Sequence, residues 1–267
     1  MLVPSVRPID FLRRARFPDR LLGWAAVVVA VGAAAFVALG VVDGRHVGGE
    51  GVWAKPARFA ASIALYLATV GWLAAPVRAG RARRIVDGVR WGVLVCMVLE
   101  ITLIAGQAAR GVPSHFNATT AVDAAVFSVM GAVIGLNTAF AGVLFVVYLA
   151  DRRLAPAARR AGALGLGLFL VGSGVGGWMV AHGGHAVGGT GGGVLPVVGW
   201  RTAGGDLRAA HFAGLHALQA IPLVGLAVRR LVRSERGRVR AVGLFAMVYA
   251  SVVAALFVRA FRELPTL

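Results

Sequence analysis

Two histidines and a glutamine interrupt an otherwise apolar stretch that runs from Asp206 to Pro222. Polar side chains are costly in hydrocarbon, so they usually face a bundle interior, a water-filled cavity or a ligand. His211 and His216 are five residues apart, and in a regular helix this spacing turns their side chains about 140° away from each other. They cannot bind one metal ion together from a single helix, so we expect different partners for them. Gln219 shares the helix face of His216.

A second polar pair lies on the apolar segment at 91–109. Glu100 and Gln107 are seven residues apart and share one helix face, which leads outward to Arg110. An intramembrane carboxylate is a functional candidate because its burial needs a compensating role. We therefore predict a proton-handling role for Glu100, with a protonated or paired carboxyl group that only packs as the alternative.

A polar turn follows this segment. Pro113 ends the helix and begins a turn that presents His115 and Asn117. Asp123 opens the next apolar segment, with the two threonines before it as candidate cap partners. The pattern is compatible with a site and equally with turn and cap chemistry alone.

The composition indicates a membrane protein. Of the 267 residues 58% are hydrophobic and 15% charged, and the mean hydropathy is +0.79, too apolar for a soluble core with a solvated surface. Seven segments each approach the length of about 20 residues that crosses a hydrocarbon core. They lie near 21–42, 57–76, 91–109, 123–150, 161–182, 211–228 and 241–258. We predict an all-α, polytopic transmembrane helical bundle, with residues 1–267 as a single integral membrane domain.

Basic residues set the predicted orientation. Of the 28 basic residues 27 are arginine, as in GC-rich bacterial-type sequences, and 20 of the 28 lie on the inner side if the N-terminus is cytoplasmic. Such an excess is typical of cytoplasmic loops. We predict a cytoplasmic N-terminus, an extracytoplasmic C-terminus and a multi-pass location in the cytoplasmic membrane. The net charge of +17 has this topological explanation, so nucleic acid is not an expected partner.

Several other kinds of site are disfavoured. Cys96 is the single cysteine, so neither a disulfide nor a cysteine metal site is available within one chain. Lys55 beside Pro56 is typical of a snorkelling anchor, with a headgroup or carboxylate contact as the alternative, and the last segment has no lysine for a retinal-type Schiff base. Ser173 lacks the glycine two places earlier that a rhomboid-type protease needs. The length of the first segment favours a retained anchor over a cleaved signal peptide.

With this orientation all six histidines fall on the outer side of the membrane. Neutral imidazoles at a shared depth on separate helices are typical ligands of haem or a transition metal ion. We predict one of these as the cofactor. The predicted metal ligands are His115, His182, His211 and His216, the predicted cofactor-binding residues are Gln107, Arg110, Asn117 and Gln219, and the predicted catalytic residues are Glu100 and Asp123.

Three classes of function stay open. The first is a histidine-rich outer site that binds a metal ion or haem and has a redox role. The second is a metal-assisted hydrolase in which histidines and Asp123 hold zinc; seven-span hydrolases are similar in span count, but the close histidine pair of their last span is missing here. The third is a non-enzymatic transporter, sensor or assembly factor whose outer cavity binds a small molecule while Glu100 relays a proton, with Asn137 extending the polar path. The lipid bilayer is a partner in all three.

Overall fold

The computed structural model describes residues 17–78, 80–188, 193–195 and 199–264. Seven helices in this part of the chain are long and apolar enough to cross a membrane, which confirms the predicted all-α, seven-span architecture. They are α1 (Arg20–Val42), α2 (Ala54–Ala74), α3 (Gly80–Ala109), α4 (Ala121–Ala150), α5 (Pro156–Ala181), α6 (Leu207–Leu231) and α7 (Glu235–Phe261). Two short antiparallel pairs lie between helices: β1 (His46–Val47) with β2 (Glu50–Gly51), and β3 (Ala186–Val187) with β4 (Gly205–Asp206).

The helices extend beyond the apolar segments. The largest difference is at α3, which begins at Gly80 rather than near residue 91. Arginine is a good helix former, and Arg83 forms an ion pair with Asp87 one turn later at 2.8 Å. The charged residues before the apolar segment are therefore helical as well. Residues 1–16, which precede the first predicted span, lie outside the described residues. The orientation of the termini and the single-domain organisation stay predictions.

The described chain divides into two compact units, one up to Val112 and one from Pro113 onward. In the N-terminal unit, a buried carboxylate connects α1 with α3 at one end. Asp19 caps α1 by accepting a hydrogen bond from the Leu22 backbone N–H at 3.0 Å. The same carboxylate forms an ion pair with Arg90 of α3, whose Nη2 donates to it at 2.9 Å. Each of these two charges is therefore neutralised by the other where α1 begins.

At the opposite end of the N-terminal unit, Asp43 follows α1 and accepts hydrogen bonds from Arg45 Nη2 at 2.7 Å and from Trp53 Nε1 at 2.8 Å. These bonds, with that from Arg45 the largest, hold the pKa of Asp43 far below its usual range. Arg45 also donates to the backbone carbonyl of Ala109 in the last turn of α3 at 3.0 Å. A cation is favourable there because the last carbonyls of a helix lack intrahelical partners.

The C-terminal unit contains α4 to α7, and its closest helix contact depends on two glycines. A Cβ at Gly172 of α5 would lie 2.7 Å from the backbone of Gly214 in α6, so the two backbones touch directly. Two turns earlier on α5, a Cβ at Gly165 would lie 3.1 Å from Pro222. Pro222 lies inside α6, which does not end at this proline. Small residues permit this approach, and packing and hydrogen bonds rather than the hydrophobic effect hold helices together in lipid.

Because of this contact, Gly172→Ala should destabilise the protein by about 1–3 kcal/mol, since the added methyl group meets backbone atoms that cannot move aside cheaply. Gly174→Ala is the matched control on the same helix, because a Cβ at Gly174 meets nothing within 4 Å. Thermal unfolding of the purified full chain in detergent measures both variants. Equal melting temperatures for the two variants would contradict a direct backbone contact between α5 and α6.

Candidate functional site

The polar stripe predicted on α3 is buried. Glu100 is 3% exposed and Gln107 is 2% exposed, so both polar side chains are buried on a helix that is apolar enough to cross a membrane. Arg110, which follows the helix, donates a hydrogen bond from its guanidinium to the side-chain carbonyl of Gln107. Three predicted site residues therefore follow one another along this side of α3. Glu100 is the farthest from the end of the helix, Gln107 lies in its last turn, and Arg110 comes directly after it.

Lys55 lies close enough to Glu100 for the two side chains to interact electrostatically. It stands in the first turn of α2, is partly buried, and has its Nζ 5.7 Å from the centroid of the Phe59 ring. Arg58 and Glu50 form an ion pair beside it and contribute to the same local field. These four residues, the charge cluster of the N-terminal unit, are two basic and two acidic side chains.

Sequence reasoning treated Lys55 mainly as a membrane anchor and so did not connect it with Glu100. Consecutive apolar segments run antiparallel, so the beginning of α2 meets the end of α3. A lysine early in one segment and a glutamate late in the next therefore approach each other in depth. The opposite charges of Lys55 and Glu100 on consecutive antiparallel segments were the sequence signal that could have predicted their approach.

The turn after α3 has a structural explanation in its hydrogen bonds. Thr120 caps α4: its hydroxyl accepts from the backbone N–H of Asp123 at 3.1 Å and donates to the Asp123 carboxylate at 2.7 Å. Asn117 accepts from the Thr119 backbone N–H at 3.1 Å and donates to the Pro113 carbonyl at 3.0 Å. Asp123, 1% exposed, thus completes a reciprocal cap. The catalytic role of Asp123 and the ligand-binding role of Asn117 stay predictions.

His115 lies in this turn with its Nδ1 3.1 Å from the hydroxyl of Ser114. Its ring centroid is 6.2 Å from that of Phe127 on α4. The next residue, Phe116, has φ +53°, a left-handed conformation that is uncommon for an aromatic residue. The ring of Phe116 lies 5.4 Å from Phe127. The turn is therefore fixed by aromatic contacts as well as by the cap.

His211 packs against a helix backbone. Its Nδ1 lies 2.8 Å from the carbonyl oxygen of Gly172 on α5, and because a carbonyl can only accept, Nδ1 is the ring nitrogen that donates. The ring occupies space that Gly176 leaves open, since a Cβ there would lie 2.8 Å from His211 Cε1. His211 thus takes part in the close contact of α5 with α6.

His216, a turn and a half further along α6, has different neighbours, as its spacing from His211 predicts. Its ring centroid lies 4.1 Å from that of Phe212, and its side chain interacts with that of Gln219. Trp200 contacts Phe212 edge to face at 5.5 Å. His216 is partly buried in this polar and aromatic group.

His182 ends α5 in an exposed position. Its ring stacks on that of Trp178 at 3.8 Å, and its Nδ1 lies 3.0 Å from the Trp178 carbonyl oxygen. Within the C-terminal unit, His115 and His182 lie at the helix ends opposite the arginine-rich turns, and His211 and His216 lie in the half of α6 nearer to those ends. Among the described residues, however, no group of three or more histidine, cysteine, aspartate or glutamate side chains is placed to hold a metal ion. The visible spectrum and metal content of the purified protein test the predicted haem or metal ion.

Asp206 is a polar centre whose role the sequence did not reveal. It is 1% exposed, caps α6, and accepts hydrogen bonds from Arg208 Nη2 at 2.6 Å and from the Arg201 backbone N–H at 3.0 Å. Burial alone would raise its pKa, but the hydrogen bonds from Arg208 and Arg201 outweigh burial and lower it. Burial, together with the nearby Arg208, lowers the pKa of His185, which therefore stays neutral at pH 7.

The spacing of Asp206 and Arg208 recurs at two other helix ends. Asp43 pairs with Arg45, and Asp151, after α4, pairs with Arg153 at 2.8 Å. In each case the arginine backbone N–H also donates to the aspartate two residues earlier. The Asp-x-Arg sequence is thus a repeated way of closing a loop in this protein.

No protein-family model, curated protein or solved structure matches the chain.

Asp206→Asn should destabilise the loop before α6 by about 2–3 kcal/mol, because it removes the charge that its arginine partners stabilise. Since the pKa of Asp206 is lowered on folding, its contribution is full at neutral pH and is lost as the pH falls through that pKa. Asp151→Asn is the control, because it removes the same kind of pair where the arginine, Arg153, is 60% exposed rather than 31% exposed as Arg208 is, so we expect a smaller loss. Melting temperatures at neutral and acid pH compare the two; a larger loss for Asp151→Asn would contradict the assignment.

Proposed function

We propose that this multi-pass membrane protein is a non-enzymatic, proton-responsive transporter or sensor in which Glu100 takes up and releases a proton beside Lys55. The observation that supports it is a buried carboxylate on α3 within electrostatic range of an ammonium group on α2. An ionisable residue inside a membrane segment is by default a functional candidate, with its partner of opposite charge as part of the site.

The physical basis is the cost of an isolated charge in hydrocarbon. A charged side chain at the centre of a membrane helix costs about 2.5–3.5 kcal/mol on insertion scales, and a partner of opposite charge offsets part of that cost. Protonation of the Glu100 carboxylate removes the negative charge opposite Lys55 and leaves that ammonium beside Arg58. The two protonation states therefore favour different arrangements of α2 against α3, which is what a proton-driven switch requires.

A polar route leads from Glu100 to one end of the N-terminal unit. Glu100 lies nine residues before the end of α3, a depth of about 14 Å. Gln107 and Arg110 continue the polar face in that direction, and the Arg58–Glu50 pair lies at the beginning of α2. In this proposal Gln107 and Arg110 form the route by which protons reach Glu100 from this end, whereas the Asp19–Arg90 ion pair lies toward the other end of α3.

The other two classes of function depend on residues with local structural contacts. His182 and His211 each place one ring nitrogen against a backbone carbonyl, and Asp123 caps α4. The haem or metal site and the metal-assisted hydrolase stay predictions, and nothing in the described contacts favours them over the proton-responsive site.

The test measures protons exchanged by the full chain in weakly buffered nanodiscs after a pH jump, using a pH-sensitive dye. Glu100→Gln should exchange one proton fewer per protein than the unmodified chain, and the infrared band of a buried carboxylic acid should disappear. Lys55→Met should alter the pH range of the exchange, because it removes the charge that interacts with Glu100.

Glu50→Gln is the matched control, since it removes a carboxylate of the same cluster that is 43% exposed. It should leave the infrared band in place. If Glu100→Gln exchanges as many protons as the unmodified chain and keeps the band, the proposed role of Glu100 is wrong. Melting temperatures show that each variant is folded.

A further inference from the structure

One end of the C-terminal unit carries ten arginines and only two acidic residues. This end is formed by the turn between α4 and α5 and by the turn between α6 and α7. Both acids already have partners: Asp151 pairs with Arg153, and Glu235 pairs with Arg238 while also accepting from the Ala157 backbone N–H at 2.8 Å. The remaining eight make no ion pair with any described residue: Arg152, Arg159, Arg160, Arg229, Arg230, Arg233, Arg236 and Arg240.

Three of these arginines lie on the parts of α5 and α7 that are near Gly243. The guanidinium of Arg160 lies over Gly243, where a Cβ would be 2.7 Å from its Nη2. Arg240 and Arg236 lie one and two turns before Gly243 on the same face of α7, at the i, i+4 and i+7 positions. All three side chains belong to exposed residues. We call Arg160, Arg236, Arg240 and Gly243 the arginine cleft.

The same face of α7 continues from the arginine cleft as exposed apolar surface. Leu244, Met247 and Val248 are 61%, 63% and 58% exposed. They follow Arg240 by four, seven and eight residues, so they lie below it along the helix. A cationic group of side chains and an apolar strip are therefore continuous on one surface, which suits an amphiphile better than a small soluble anion.

The depth of the cleft agrees with this chemistry. α7 has 27 residues, about 40 Å of helix, whereas the hydrocarbon core is about 30 Å thick. About 5 Å at each end of α7 therefore lies in the headgroup layer, and Arg236, Arg240 and Arg160 stand within about 8 Å of the beginnings of their helices. The Cα atoms of Arg160 and Arg240 therefore lie within about 3 Å of the inner boundary of that layer, and their long side chains can extend outward so that the guanidinium groups reach lipid phosphates.

We propose that the arginine cleft binds the phosphodiester group of an anionic phospholipid, such as phosphatidylglycerol, with the acyl chains along Leu244, Met247 and Val248. Guanidinium groups bind phosphate oxygens through paired, charge-assisted hydrogen bonds, and three of them without acidic partners offset the lipid charge. Gly243 is part of the site because the absence of a side chain lets Arg160 lie against α7. This surface is separate from Glu100 and does not depend on the function proposed above.

The test titrates the full chain, delipidated in neutral detergent, with short-chain phosphatidylglycerol and, in parallel, with short-chain phosphatidylcholine and inorganic phosphate. Binding is measured by native mass spectrometry and by the rise in melting temperature. Phosphatidylglycerol should bind at least about tenfold more tightly than either comparison ligand. Equal binding of phosphatidylcholine would overturn the charge argument, and equal binding of inorganic phosphate would overturn the assignment to a lipid.

Two double variants separate the cleft from diffuse surface charge. Arg160→Gln with Arg240→Gln should weaken phosphatidylglycerol binding about tenfold or more, whereas Arg230→Gln with Arg233→Gln, the same charge change outside the cleft, should weaken it less than about threefold. Equal losses would overturn the proposal. Gly243→Ala leaves the charge unchanged and should also weaken binding, because it displaces Arg160; it keeps the test decisive if the first double variant does not fold.

Discussion

A polar group that enters hydrocarbon must find its partner within the protein, because no water is available there. This constraint accounts for the most specific contacts in both units. His211 donates to a backbone carbonyl of α5 across a contact that two glycines make possible. Asp19 and Arg90 meet as a pair at the boundary of the N-terminal unit, and Lys55 lies within range of Glu100. At each of these places, the contact that packs two helices together also supplies the partner of a buried polar group.

Periodicity and composition were sufficient to predict seven helices, the buried face of Glu100 and Gln107, and the different neighbours of His211 and His216. Each of these follows from a single helix, whose geometry is fixed by hydrogen bonds between near neighbours. The cap of Asp123 was also predictable, since threonines stood before it. Contacts between helices were not predictable to the same degree. Nothing in either segment indicates that Gly172 faces Gly214, because this contact depends on how the helices rotate against each other. The opposite charges of Lys55 and Glu100 were a signal for their approach, but the same rotation decides whether their side chains face each other.

The arginines show how one residue type serves several purposes in this chain. Arg45, Arg153 and Arg208 each close a loop on the aspartate two residues earlier. Others end helices or remain without acidic partners at the arginine-rich end of the C-terminal unit. The distribution of arginines between loops is a topological signal, but it does not distinguish these roles. An acid two residues before an arginine is visible in the sequence, whereas the Arg90–Asp19 pair joins residues 71 positions apart and depends on helix packing.

Glu235 has a consequence for the order in which the C-terminal unit assembles. Ala155, the residue before α5, offers no side-chain cap, and the carboxylate that accepts from the Ala157 backbone N–H stands 78 residues later on α7. Because a chain is synthesised from its N-terminus, Glu235 is added to the chain only after α5. Until α7 packs against α5, water is the available partner of the Ala157 amide, and the Glu235 carboxylate replaces it only in the assembled unit.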